Sequence, residues 1–90
     1  MNGFKNVETY FTVLWLESNE LFYHNLMSKA FDMNFDTFAA HLKNTLEEYV
    51  YSELDNVKSP VIHGFVSDLI DLSFEKIDFV EVARALTGEY

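Results

Sequence analysis

The groups in this chain that could do chemistry are mostly carboxylates, with fifteen Asp and Glu against six Lys and Arg and a net charge of −9. Two carboxylates converging across a cleft could serve as general acid and base in hydrolysis. Carboxylates alternating along a loop could hold a divalent cation. The spacing specifies neither. Glu47 and Glu48 are adjacent, so on a helix they diverge, and the run Asp32 to Asp36 lacks the Gly and the closing Glu of a calcium loop. The three histidines, His24, His41 and His63, contain no i, i+4 pair and no H-E-x-x-H motif, and are expected as surface or half-buried side chains. With no Cys there is no thiolate metal site, disulfide framework or Cys nucleophile. No catalytic, cofactor-binding or metal-binding residue is assigned, and the expectation is a non-enzyme.

The acidic groups do fall in a pattern. Asp68, Asp71 and Glu75 stand at i, i+3 and i+7, on one helix face over about 10 Å, largely opposite Ile62, Phe65, Val66 and Leu69. Like charges at this spacing repel by a few tenths of a kcal/mol per pair, so folding alone does not ask for the row. Glu47, Glu48, Glu53 and Asp55 form a second cluster, answered nearby only by Lys43 and Lys58. One reading is a solvated outer face. The other takes Asp68, Asp71, Glu75, Glu47 and Glu48 as partner-binding residues, shaped for a basic groove such as the nucleic-acid channel of another protein. Six scattered basic residues argue against direct binding to nucleic acid or to an anionic membrane.

A second candidate surface is apolar. The segment from Val7 to Leu16 carries apolar groups on more sides than one neighbour can cover, and Tyr51, Leu54 and Leu72 fall off the core stripes of their helices. Either a small bundle wraps the first helix on both sides, or these groups form a homodimer or partner-binding patch, as in an adaptor or structural module.

These residues need helices to position them, and the spacing predicts five. The first starts near Asn6, a predicted N-cap, with Glu8 in its first turn; being apolar nearly all round, it is expected at the centre of the core. After Ser18-Asn19-Glu20 a second helix carries Phe22, Tyr23, Leu26, Met27, Ala30 and Phe31 on one face, with a kinked rod or a corner both open at the break. Asp32-Met33-Asn34 ends it. A third helix over Phe35 to Leu54 buries Phe35, Phe38, Ala39, Leu42, Leu46, Tyr49 and Val50 at i, i+3, i+4, i+7 spacing. Asp55 to Lys58 reads as a loop. Ser59 caps a fourth helix with Pro60 at its first position and Val61, Ile62, Phe65, Val66, Leu69 and Ile70 as its inner face. Asp78 and Glu81 have capping-box spacing, with Ile77 and Val82 as hydrophobic staple. The fifth helix buries Phe79, Val82, Ala83 and Leu86 and stops at Gly88. The expected fold is all-α, a compact bundle of four to five helices.

Ninety residues, 49% of them hydrophobic and 17% aromatic, make one helical domain over 1–90 rather than a disordered acidic tail. No cationic stretch followed by an apolar one opens the chain, and the longest apolar run, Val13 to Leu16, is far below the roughly 20 residues of a membrane span. A soluble, cytoplasmic protein is the expectation.

Asn6-Val7-Glu8-Thr9-Tyr10 and Leu14-Trp15-Leu16-Glu17-Ser18-Asn19 resemble the opening of a family of small acidic helical proteins of unknown function, carried by bacteriophages, plasmids and bacterial genomes. Gly64-Phe65-Val66-Ser67-Asp68-Leu69-Ile70 and Ile77-Asp78-Phe79-Val80-Glu81-Val82-Ala83, on to Leu86, are similar to its C-terminal part. The family usually has Trp or another aromatic where Tyr10 and Phe79 stand, and a more acidic Asn-Asp pair at Ser18-Asn19. It brings no catalytic residues. The resemblance implies a mobile-element setting, in which small acidic proteins often block host nucleases. The expectation is therefore an inhibitor that imitates nucleic-acid charge on the basic surface of a host protein, such as a CRISPR effector or a restriction nuclease.

Overall fold

In the computed structural model, which describes residues 3–30 and 32–88, helices begin where a polar side chain meets a free backbone N–H. The elements are α1 (Val7–Ser18), α2 (Glu20–Ser28), α3 (Phe35–Leu54), α4 (Pro60–Lys76) and α5 (Phe79–Leu86), with no strand among the described residues. Asn6 Oδ1 accepts from the Thr9 N–H at 2.8 Å, Asn34 Oδ1 from the Thr37 N–H at 2.8 Å and Ser59 Oγ from the Ile62 N–H at 3.4 Å. Asn19 is both the C-cap of α1 and the N-cap of α2, its Oδ1 accepting from the Phe22 N–H at 3.3 Å. Its extended backbone breaks the helix, so α1 and α2 meet at a one-residue corner. Gly88, with φ +78°, closes α5 in the left-handed region that favours glycine.

The cap of α5 departs from the predicted box. Asp78 Oδ1 accepts from the Glu81 N–H at 3.1 Å, as expected. The reciprocal bond is replaced by two long-range ones. The Asp78 N–H donates to Thr9 Oγ1 at 3.0 Å, and Glu81 Oε1 accepts from the Lys5 N–H at 2.9 Å. Both ties run to the start of α1, and Thr9 is fully buried beneath them.

The core forms around α5, whose Phe79, Val82, Ala83 and Leu86 are all buried. Phe38, Ala39 and Leu42 of α3 pack there, with Val13 and Leu16 of α1 and Leu26 of α2. The short helix α5, with one strongly apolar face, therefore takes the central place expected of α1. In α1 only Thr9, Val13 and Leu16 are buried, and Trp15 is 72% exposed. Tyr49, expected in the stripe of α3, is exposed as well, whereas Leu54, expected off the stripe, is buried. Phe31 lies outside the described residues.

The largest departure is α4, which rests lightly on α1 and α3 and buries no residue fully. Val66, Ile70 and Phe74 lean inward and are half-buried, and Phe74 stacks on Phe79 with ring centroids 6.0 Å apart. Val61, Ile62, Phe65 and Leu69, expected inside, are exposed, as is Leu72. Apolar residues from Val61 to Phe74 cover about 220° of α4 at 100° per residue, more than one neighbour can bury. Seating Phe74 against Phe79 turns the other side of that arc outward.

Candidate functional site

Residues at i, i+4 and i+8 stand above one another on a helix, so Lys43, Glu47 and Tyr51 line up along one side of α3. Across from them, Asp71, Phe74 and Glu75 of α4 close a cleft of about 180 Å³. The Tyr51 hydroxyl donates to the Asp71 carboxylate. Lys43 Nζ lies 3.9 Å from Glu47 Oε1, a partly exposed i, i+4 pair that contributes a few tenths of a kcal/mol. Three carboxylates thus face one ammonium group. The cleft is smaller than the several hundred Å³ of a typical small-molecule pocket, and its rim suits cationic side chains of a macromolecule better than an enclosed ligand.

Of the five residues predicted for partner binding, the fold brings Glu47, Asp71 and Glu75 to this cleft. Asp68 is exposed one turn earlier on α4 and extends the row along the cleft's outer edge. Glu48 is also exposed, but it points about 100° away around α3 and does not line the cleft. Among the histidines, His63 Nε2 stands 3.7 Å from Asp55 Oδ1 at the start of α4, His24 is exposed and His41 half-buried. Among the described residues, no three His, Asp or Glu side chains stand close enough to hold a metal ion, and no helix is long and apolar enough to cross a membrane.

Beside the acidic row runs the outward ridge of α4. Val61, Ile62, Phe65, Leu69 and Leu72 are between 51% and 77% exposed, and at about 100° per residue they occupy an arc of about 100°. Asp68, Asp71 and Glu75 fill the next 60° or so, on the side toward α3. An apolar patch of this kind, rimmed by polar groups, is a candidate interaction surface. Within this ridge Val61, Ile62, Phe65 and Leu69 were expected in the core, and Ile62, Phe65 and Leu69 largely opposite the carboxylates. Both expectations fail, whereas Leu72 was expected off the core stripe and is exposed. The signal was present in the width of the apolar arc, which exceeds what a peripheral helix buries.

A third feature is the groove between α1 and α3. Trp15, Leu16, Phe22, Leu46, Tyr49 and Val50 line one part, of about 530 Å³. Phe11 of α1, with Phe74 and Ile77 at the end of α4, lines a continuation that shares Trp15, Leu16, Leu46 and Val50. The exposed indole of Trp15 belongs to both.

Comparison of the chain with protein-family models, with curated proteins and with solved structures finds no match.

Proposed function

We propose that this chain is a non-catalytic acidic inhibitor of the mobile-element kind. It occupies the basic surface with which another protein, of the type of a CRISPR effector or restriction nuclease, holds nucleic acid. The observation that carries this reading is the convergence of Glu47, Asp71 and Glu75 on one cleft, with Asp68 continuing the row on α4. Only Lys43 offsets them within the cleft, and the chain as a whole carries −9. A fixed row of carboxylates about 10 Å long presents negative charge on the length scale of successive phosphates. Occupancy needs no turnover. It acts by excluding nucleic acid from Lys and Arg side chains that would otherwise meet phosphate.

The test is capture on the immobilised chain from a bacterial lysate at low salt, followed by stepped salt elution. Interactions among exposed charges weaken as the screening length falls from about 30 Å at 0.01 M to about 10 Å at 0.1 M. The expected result is a nucleic-acid-binding protein released at moderate salt and displaced by duplex DNA. Reversal of Asp68, Asp71 and Glu75 to Lys abolishes capture and leaves the helical circular-dichroism spectrum unchanged. Capture that resists high salt, or that DNA does not compete, overturns the reading.

A further inference from the structure

We infer that α4 is a docking helix and that its occupant is an amphipathic helix of another protein, bearing Lys or Arg along one edge. This deepens the proposed function and rests on it. Three features of α4 act together. The ridge Val61, Phe65, Leu69 and Leu72, with Ile62, faces away from the bundle and is more than half exposed throughout. Its spacing is that of a helix seam, which a second helix covers by ridge-into-groove packing at about 8–10 Å between axes. The carboxylates of Asp68, Asp71 and Glu75 border that ridge on one side only, so they prefer an occupant whose matching edge is basic.

The third feature is Gly64. It stands in register with the acidic row, at i, i+4, i+7 and i+11 with Asp68, Asp71 and Glu75. A glycine inside a helix weakens it relative to alanine, and a Cβ at Gly64 would meet nothing within 4 Å. Packing within the chain therefore does not call for glycine there, whereas a partner passing close to the α4 backbone would use the space. A second copy of the chain fits the face less well. Pairing two α4 ridges antiparallel about a two-fold axis sets each edge against itself, so Asp68, Asp71 and Glu75 of one copy would meet the same carboxylates of the other. Each copy also carries −9.

The probe is a labelled synthetic helix of about 18 residues, with Leu at i, i+3, i+4, i+7 spacing and Lys along one edge, titrated into the full chain by fluorescence anisotropy. One control scrambles its order to destroy the ridge; another replaces Lys with Glu. The expected result is a Kd at least about tenfold lower for the basic amphipathic helix than for either control. Phe65→Asp and Gly64→Leu each weaken binding by about tenfold or more while the helical spectrum is retained. If the scrambled Lys peptide binds as tightly, helix docking is wrong while the acidic reading survives. If neither Lys peptide binds, both fail. If sedimentation shows a dimer that Phe65→Asp converts to monomer, the face belongs to a second copy and the inference is overturned.

Discussion

Thr9 shows how much one hydroxyl can organise in a small chain. It is the buried polar residue among the described ones, and its Oγ1 accepts from the Asp78 N–H across 69 residues of sequence. Thr9→Val keeps the shape of the side chain and deletes the acceptor. The Asp78 N–H is then left without a protein partner in a partly buried place, at a cost of about 1–2 kcal/mol. For a domain of this size each kcal/mol lowers the melting temperature by about 4–8 °C, which a thermal scan followed by circular dichroism resolves. An unchanged melting temperature would mean that water replaces the hydroxyl. The Asp78 and Glu81 pair was legible in the sequence because an i, i+3 spacing names local partners. The diversion of its second half to Lys5 and Thr9 was not, because the start of α1 reaches α5 only through the tertiary fold.

Among elements, legibility follows the width of the apolar arc. In α5 four residues define one narrow face, and all four are buried. The stripe of α3 is nearly as narrow, and its Phe38, Ala39 and Leu42 are buried where spacing put them. In α4 the arc is too wide for periodicity to say which part faces inward, and the contact of Phe74 with Phe79 decides it. The same width made α1 look central, although α5 takes that place. The contrast predicts opposite responses to truncation. Leu42, fully buried, should cost about 2–5 kcal/mol on change to Ala, through lost transfer energy and the cavity left behind. Phe65, 56% exposed, should change stability by no more than about 0.5 kcal/mol on change to Ser. Urea unfolding of both variants checks this. A Phe65→Ser loss near that of Leu42→Ala would mean that the ridge is covered within the free chain.

For the molecule as a whole the governing quantity is charge. The principal extents are 41 × 26 × 22 Å, so at 0.01 M salt, where the screening length is about 30 Å, most of its charges feel one another. At 0.1 M the length is about 10 Å, and only near neighbours such as Asp68, Asp71 and Glu75 still repel. The sequence made that row legible, because fixed spacing on one helix is a local property. It could not show Glu47 joining Asp71 and Glu75, nor Glu48 turning away, since both depend on how α3 and α4 are set against each other. Folding concentrates the nine excess negative charges into a smaller volume, so their repulsion opposes the compact state. Added salt should therefore raise the melting temperature, by about 4–8 °C if the repulsion relieved is roughly 1 kcal/mol. Reversal of Asp68, Asp71 and Glu75 to Lys, with two charges changed at each position, brings the net charge to about −3 and should flatten that rise. The check is a melting series between 0.01 and 0.1 M sodium chloride on both proteins. A melting temperature that falls with salt would show that attractive pairs such as Lys43 with Glu47 outweigh the repulsion.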